Sequence, residues 1–401
     1  MDTVFLIFAS VLVFMMIPGL AFFYGGLVRH KNVVNTIMMS LGAIGVVGMA
    51  WALIGFSLVF GGENPWLGDF RYVLLKNVGF ESSFANIPDL LFFLYQGTFA
   101  IVTAALISGA VIERMRFSSY LLFIALWSIF VYAPVAHSIW GGGFLAKMGV
   151  MDFAGGTVVH ITAGVAGLVL ALALGQRKDY GSPLIAPHSV PFTLLGTGFL
   201  WLGWFGFNGG SALAANNTAV LAVVNTFLAP VATMVMWLLL DASRSRRITS
   251  IGMATAIIVG CVAITPASGF VSPTSALLIG SIAAFPSYFA LLWRSRSGID
   301  DGLDVFASHG VGGITGSLLT GVFAQEIWGN KADGLLFGNP QQFVIELISV
   351  ASVIIFTFIA TLIIAKLVDL INPLRSSAER ELQGLDIAAH GEQAYIADPS
   401  L

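Results

Sequence analysis

Long apolar stretches dominate the sequence, and most of them could cross a bilayer as one helix. A transmembrane helix takes about 20 apolar residues at a rise of about 1.5 Å each. Apolar residues make up 57 % of the chain and charged residues 10 %, whereas a soluble domain carries about 25 % charged residues. We therefore predict an all-α polytopic membrane protein with eleven transmembrane helices, near residues 3–28, 33–60, 89–112, 117–138, 153–175, 191–211, 217–241, 249–264, 274–293, 301–324 and 341–370.

Lysine and arginine are distributed unequally between the two sets of predicted loops. Fourteen of the 18 follow odd-numbered helices, and the even-side loops hold only Arg71, Lys76, Lys147 and Lys331. Because cytoplasmic loops carry the excess of basic residues, we expect the N-terminus outside and the C-terminus in the cytoplasm. The asymmetry requires an odd number of helices, which agrees with eleven.

Two predicted helices share a pattern. The stretch from Asp152 to Gly175 and the stretch from Asp301 to Ala324 each place a histidine eight residues after an aspartate, followed by small residues four apart. Small residues at that spacing let helix backbones approach closely in a membrane. The fifth helix would run inward and the tenth outward, so the sequence predicts an inverted repeat of helices 1–5 and 6–10, with helix 11 added.

His160 and His309 are the two histidines of this pattern. Each would lie roughly 12 Å into the membrane at helical rise, and a titratable residue at that depth marks a pathway or a relay by default. A packing role, with each ring bonded to a backbone carbonyl, is the simpler alternative. The symmetry between the two favours a functional pair.

Around these histidines the sequence resembles the ammonium transporter family, the Amt/Mep/Rh group, in its bacterial or archaeal Amt form. The resemblance covers essentially the whole chain. It implies a homotrimer of the cytoplasmic (inner) membrane in which each subunit has its own narrow hydrophobic pore, and a PII signalling protein as a possible cytoplasmic partner. The motifs that carry it are DFAGGTVVHITAGVAGL, PGLAFFYGGLVR, YQGTFA, WGGGFLA, GWFGFNGGSA, DVFASHGVGGITG and the tail motif QGLDIAAHGEQAY.

The same resemblance implies roles for single residues. Trp140, Phe99 and Ser211 match an outer ammonium site, where an aromatic face offers a cation about 1–2 kcal/mol when partly desolvated. Phe99 and Phe207 match a pair of stacked rings that closes the pore, and His160 with His309 matches a pore-lining relay. For Trp140 alone, a tryptophan of the interfacial belt is the competing interpretation.

Asp152 and Asp301 stand at the starts of the two related helices. A carboxylate there could bind ammonium directly, or cap the helix and interact with its dipole. For Asp152 we favour the cap, with its charge also stabilising a cation above it. We assign Asp301 the same structural role, outside the substrate site.

Other functions find little support in the sequence. No cysteine or histidine cluster has metal-ligand spacing, and hydrolase and phosphate-binding motifs are missing. We therefore expect neither an enzyme nor a cofactor, and no nucleic-acid partner. An ammonium sensor on the same fold is the alternative, although such sensors usually carry a fused signalling domain. We divide the chain into a transporter domain, residues 1–371, and a cytoplasmic tail, residues 372–401, which we expect to pack on the cytoplasmic loops.

Overall fold

The computed structural model describes residues 1–181, 186–244, 246–329 and 332–395. This part of the chain contains eleven long helical segments that correspond one to one with the predicted spans, and it has no strands. The prediction of an all-α membrane protein with eleven helices is confirmed. The helices are α1 Asp2–Leu27, α2 Val33–Ala50 continued by Trp51–Gly55 and Phe56–Phe60, α3 Asp89–Val111, α4 Phe117–Trp127 continued by Ser128–Tyr132 and Ala133–Trp140, α5 Gly156–Leu174, α6 Val190–Gly210, α7 Asn217–Arg244, α8 Ser250–Ile264, α9 Pro273–Ser297, α10 Phe306–Gly310 continued by Val311–Phe323, and α11 Pro340–Ile371.

Nine of these helices are long and apolar enough to cross a membrane by length and composition. Within the described ranges, two of the eleven helices do not meet these criteria. They are α8, which has 15 residues, and α10, whose first turn is a π-helical turn. A shorter helix at Phe144–Met148 lies between α4 and α5, and two more, Ala378–Gln383 and Asp386–His390, follow α11. Lys331, which the sequence assigns to an outer loop, lies outside the described residues.

Four spans contain a π-helical turn, in which the backbone bonds reach one residue further than in an α-helix. Those at Gly156–Ile161 and Phe306–Gly310 carry the two pattern histidines. The turn at Ser128–Tyr132 precedes Pro134, which has no N–H to give to the α-helical ladder. Such turns are rare and frequently lie at functional sites, and here two of them contain the pattern histidines.

The packing pairs the two halves as the predicted inverted repeat requires. Helix α1 lies along α6, and α5 lies against α10. At the second crossing, a Cβ on Gly164 would collide with the backbone of Gly310, and one on Gly313 would lie 2.8 Å from the carbonyl oxygen of Gly156. Glycine therefore allows α5 and α10 to touch backbone to backbone.

Two small residues of the sequence pattern, Gly167 and Gly316, face other helices. Gly167 of α5 packs on Ala110 of α3, and Gly316 of α10 packs on Ala263 of α8. Because α3 and α8 are equivalent helices of the two halves, these contacts obey the same symmetry. Helices α5 and α10 thus each contact the other through one glycine and contact a helix of their own half through a second glycine.

One end of the molecule, here called the basic end, holds a network of buried ion pairs. Glu113 bonds Arg29 and Arg177 at 2.8 and 2.9 Å, and Arg177 also bonds Asp300 at 2.8 Å. These residues follow α1, α3 and α5 or precede α10, so the network ties four helix ends together. The opposite end carries the long connection between α2 and α3 and the loop before α5.

The C-terminal segment packs on the basic end. Arg375 pairs with Glu381 at 2.6 Å and donates to the carbonyl oxygen of Leu174 at 2.9 Å. Asp386 accepts the backbone N–H of Asn35 at 2.8 Å, at the start of α2. The segment predicted as a tail is therefore docked on loops of the helical bundle as far as residue 395, where the described part ends.

Candidate functional site

A cavity of about 310 Å³ opens at the end of the molecule opposite the basic end. Trp140, Phe99 and Ser211 all line it, although they belong to α4, α3 and the residue after α6. The structure thus brings together the three residues that the resemblance assigns to an outer site. The rest of the wall is largely aromatic and apolar, formed by Phe60, Phe84, Phe92, Gln96, Ile139, Phe153 and Leu213.

Hydrogen bonds fix the polar groups of this cavity. The Trp140 indole N–H donates to the carbonyl oxygen of Asp152 at 2.9 Å, which fixes the ring at the end of α4. The Ser211 hydroxyl donates to the carbonyl oxygen of Phe207 at 2.8 Å and lies 3.3 Å from the Tyr95 hydroxyl. With its proton engaged, the Ser211 oxygen can accept a bond from a cation such as ammonium.

A continuous file of aromatic and imidazole rings leads from this cavity into the protein. The ring centroids are 5.9 Å apart from Trp140 to Phe99, 4.0 Å from Phe99 to Phe207, 6.1 Å from Phe207 to His160, and 5.3 Å from His160 to His309. Phe99 and Phe207 stack at an interplanar angle of 23° and are 1 % and 0 % exposed. These two rings lie between the cavity and the histidine pair.

His160 and His309 meet in the interior. Their Nδ1 atoms are 3.2 Å apart, and both side chains are buried. Because a hydrogen bond needs one donor and one acceptor, one Nδ1 carries the proton and the other does not. The tautomers of the two rings are therefore coupled, and His160 Nε2 has no partner in the described part of the protein.

A narrow cavity of about 10 Å³ runs past the two histidines. That volume is about the space a single water needs. Its walls are otherwise apolar side chains and the Trp204 ring, from Met16, Leu20, Phe23, Val102, Leu106, Leu200, Trp204 and Ile258. An intact cation would lose its water here and find few replacements, whereas a small neutral molecule would not carry that cost.

A third cavity, of about 350 Å³, lies at the basic end and reaches His309. Glu113 and Asp304 contribute acidic groups to its wall. Burial favours the neutral form of Glu113, but hydrogen bonds and charges from Arg29 and Arg177 lower its pKa to about 2. Burial raises the pKa of Asp304 to about 6, against the opposing charge of Arg294. This mouth carries charged side chains, whereas none lines the aromatic cavity at the other end.

Asp152 and Asp301 lie at the starts of the two histidine helices. The Asp152 carboxylate accepts four backbone N–H groups, from Gly155, Gly156, Thr157 and Val158, at 2.6–3.0 Å. The Asp301 carboxylate accepts two, from Val305 and Phe306, at 3.1 and 2.7 Å. Neither side chain lines one of the three cavities. Both have the geometry of a cap that satisfies free helix N–H groups.

Two side chains of the path were not singled out from the sequence. Trp204 stacks on His160 with centroids 5.4 Å apart and donates to the Thr265 hydroxyl at 2.8 Å. Tyr95 reaches the carbonyl oxygen of Phe207 at 2.8 Å. Both stand in motifs that carry the family resemblance, GWFGFNGGSA and YQGTFA, and both bury a large ring with a polar tip. These two motifs are therefore the sequence feature from which both residues could have been identified.

Metal chemistry finds no support in the described ranges, which contain no group of three His, Cys, Asp or Glu side chains able to hold an ion. Cys261 is buried and unpaired.

Comparisons with known proteins agree on one family. The family model described as Ammonium Transporter Family matches residues 4–395. An ammonium transporter of Bacillus subtilis is 44 % identical over 398 residues, which is 98 % of each chain. The crystal structure of Candida albicans Mep2 superposes with a TM-score of 0.91 at 38 % identity, covering 100 % of this chain and 91 % of the other. A structure described as a sensor Amt protein superposes at 0.90 with 30 % identity, covering 97 % and 98 %.

Proposed function

The chain belongs to the ammonium transporter family, and from that premise we propose a path and residue roles for its transport. It is a multi-pass membrane protein that transports ammonium, and it is not an enzyme. The proposed path joins the three cavities: the aromatic cavity captures ammonium, the stacked rings select, and the histidine pair takes part in proton movement. The observation that carries this proposal is the unbroken file of rings from Trp140 to His309.

Capture takes place in the aromatic cavity. The faces of Trp140 and Phe99 attract the cation, and the Ser211 oxygen accepts one of its N–H groups. Cation–π attraction of about 1–2 kcal/mol at a partly desolvated site would enrich ammonium without holding it tightly. Weak binding suits a transporter, because the substrate must leave as readily as it enters.

Selection takes place at Phe99 and Phe207. Hydrated sodium and potassium would have to shed water between two rings 4.0 Å apart, where nothing replaces their hydration shell. Ammonium differs from both ions because it can release a proton and continue as ammonia. The apolar walls below the rings support loss of the proton near this point.

His160 and His309 then carry the proton or exchange it with the passing ammonia. Imidazole titrates near neutral pH and can donate with one nitrogen while accepting with the other. The unpartnered Nε2 of His160 is available to a molecule in the narrow cavity. A proton moved along the pair makes transport electrogenic.

Asp152 and Asp301 hold the two histidine helices in place. Each carboxylate satisfies N–H groups at a helix start that carries a partial positive charge. We assign Asp152 the further task of offsetting that positive charge close to where a cation is captured.

The test is a current recording on purified protein in liposomes. A pulse of ammonium should give a transient inward current that saturates with concentration, and an equal pulse of sodium or potassium should give none. If the liposomes take up ammonia but no current is recorded, the result would favour electroneutral transport. The histidines would then have no role in moving charge.

A sensor is the second candidate, favoured by the superposition with a sensor Amt protein at 30 % identity. A sensor would bind ammonium without sustained turnover. Saturable binding combined with the absence of both current and ammonia uptake would support the sensor against the transporter.

Assembly and placement complete the proposal. We infer a homotrimer in the cytoplasmic (inner) membrane, with the N-terminus outside and the basic end in the cytoplasm, where lysine and arginine are concentrated. Residues 1–371 form the transport domain, and residues 372–401 form a tail that a PII signalling protein could contact at the cytoplasmic face. The bond from Arg375 to the carbonyl oxygen of Leu174, at the end of α5, supports a tail that is docked on the bundle.

A further inference from the structure

Glu346 is a glutamate buried inside the membrane-spanning part of α11. Its side chain is 0 % exposed, and an ionisable group at such a position is costly. Gly321 of α10 makes room for it, because a Cβ there would lie 2.9 Å from Glu346 Cγ. Glu346 lies outside all three cavities of the path.

Glu346 bonds to the loop that precedes α5. Its Oε1 accepts the backbone N–H of Met151 at 2.7 Å and the Gln342 amide at 2.9 Å. The same amide nitrogen of Gln342 donates to the carbonyl oxygen of Gly149 at 3.1 Å. Two side chains one turn apart on α11 therefore hold residues 149–151 by both a donor and an acceptor.

The held loop leads directly to the capture site. Asp152 follows Met151, and its carbonyl oxygen accepts the Trp140 indole N–H at 2.9 Å. The Asp152 carboxylate in turn caps the helix that carries His160. Because Asp152 is the next residue, a displacement of Met151 also displaces the carbonyl oxygen that bonds Trp140 and the carboxylate that caps α5.

The loop has little regular structure of its own to resist such a shift. Gly149 ends a five-residue helix at φ +97°, and Gly155 sits at φ +114° before α5 begins. Two of the backbone N–H groups between them bond to distant residues: that of Met151 to Glu346, and that of Phe153 to the carbonyl oxygen of Pro266 at 3.1 Å. Without the first contact, the loop would be held by the Phe153 N–H and by the carbonyl oxygens of Gly149 and Asp152.

The second carboxyl oxygen argues against a role in stability alone. Glu346 Oε2 is buried and has no hydrogen-bond partner among the described residues. A buried polar atom without a partner is destabilising, and well-packed apolar side chains often replace such groups without loss. A glutamate at this place is better explained by what its other oxygen positions.

We propose that Glu346 is a positioning residue for ammonium capture: through Met151 and Asp152 it fixes the Trp140 indole over the aromatic cavity. This inference rests on the proposed function, since it deepens the role given to Trp140. Removal of the carboxyl should weaken capture and leave the steps below Phe99 and Phe207 largely intact.

The test compares Glu346→Leu with Glu346→Gln, which keeps an oxygen for the Met151 N–H. Ser349→Ala is the matched control, because Ser349 is buried one turn along α11 and its hydroxyl has no partner in the described ranges. Ammonium-evoked currents are recorded against concentration on liposomes that hold trimers checked by size. Glu346→Leu should raise the apparent KM about 3- to 10-fold, the effect of one lost hydrogen bond, with the saturating current within about twofold of the parent. Glu346→Gln and Ser349→Ala should both stay near the parent KM.

A reduced saturating current with unchanged KM in Glu346→Leu, or an equal KM shift in Ser349→Ala, would overturn the proposal. Should Glu346→Leu not assemble, Gln342→Met removes the neighbouring contact to Gly149 and should shift KM in the same direction. Amide hydrogen exchange over residues 149–158 supplies a readout independent of transport. It should rise in Glu346→Leu and remain at the parent level in Glu346→Gln; equal exchange in the two would also count against the proposal. A parent protein with neither current nor ammonia uptake contradicts the proposed function, while the exchange comparison still decides whether Glu346 holds the loop.

Discussion

At the scale of single residues, Phe207 is the ring that connects capture to the histidines. It lies between Phe99 and His160 with centroid distances of 4.0 and 6.1 Å. We expect Phe207→Ala to open the closed segment, so that potassium conductance rises above the level of empty liposomes. Loss of a buried phenylalanine also costs about 3–5 kcal/mol, and the protein should melt at a lower temperature.

Phe192→Ala is the matched control, because Phe192 stands on the same helix and packs on Phe22 away from the file of rings. It should leave potassium conductance at background. If Phe207→Ala also stays at background while ammonium current is unchanged, the gate does not lie at Phe99 and Phe207.

Glu113 gives a prediction that depends on pH. Its pKa of about 2 lies below its ordinary value of 4.5, so ionised Glu113 stabilises the folded protein above pH 4.5, and this stabilisation is lost as the pH falls toward 2. A shift of this size corresponds to about 3 kcal/mol. Glu113→Gln should therefore lower the melting temperature at pH 7, and the difference from the parent should shrink below pH 4.5.

The exposed Glu379 provides the comparison. Glu379→Gln should change the melting temperature little at any pH. A difference between parent and Glu113→Gln that stays constant from pH 7 to pH 3 would contradict the role of the ion-pair network.

The candidate site was predictable from the sequence only through its motifs. Phe99 and Phe207 are two of 32 phenylalanines, and no property of the residue type separates a gate ring from a packing ring. Their neighbours in the chain identified them as candidates. Trp204 was missed because the contact that makes it relevant, a stack on His160, joins two helices.

At the scale of elements, the crossing of α1 and α6 depends on glycine at particular positions. A Cβ on Gly196 would collide with the backbone of Phe23, whereas one on Gly198 of the same helix meets nothing within 4 Å. Gly196→Ala should therefore push the helices apart and reduce the yield of assembled protein. Gly198→Ala should be neutral or stabilise by about 0.5–1 kcal/mol, because alanine favours a helix interior.

Size-exclusion profiles and melting temperatures of the two variants make the comparison. Equal behaviour of Gly196→Ala and Gly198→Ala would show that the crossing tolerates a wider separation than its geometry indicates.

Helix number was predictable, and helix starts were less so. Hydropathy located all eleven spans, but the predicted fifth and tenth spans began at residues 153 and 301, whereas the helices begin at Gly156 and Phe306. The aspartates fold back to cap the first N–H groups, so the preceding residues belong to the cap and not to the helix. The π-helical turns have no apolar signature of their own, and hydropathy could not reveal them.

At the scale of the whole molecule, the inverted repeat sets where each loop lies. Cysteines placed at Lys147 and at Arg246 should react with a membrane-impermeant reagent from opposite sides. Cys261 is buried and should stay unlabelled, so the parent protein is the blank. Labelling of both sites from one side would contradict the proposed topology.

The repeat itself was visible in the sequence because its two histidine helices kept the same spacing of acid, histidine and small residues. The role of Glu346 was not visible in the sequence, although this residue is as buried as either histidine. Helix α11 has no counterpart in the repeat, so no second copy drew attention to it. The significance of Glu346 depends on its hydrogen bond with Met151, which is distant in the sequence.

The central claim, that His160 and His309 carry charge through the pore, is tested most directly by the double variant His160→Leu with His309→Leu. The measurement is the ammonium-evoked current of assembled trimers in liposomes, compared with the parent and with His30→Leu, an exposed histidine at the basic end. The account predicts that the current of the double variant falls to the level of empty liposomes while that of His30→Leu is unchanged. An undiminished current in the double variant would contradict the relay and leave the pair, 3.2 Å apart, as a packing feature of the fold.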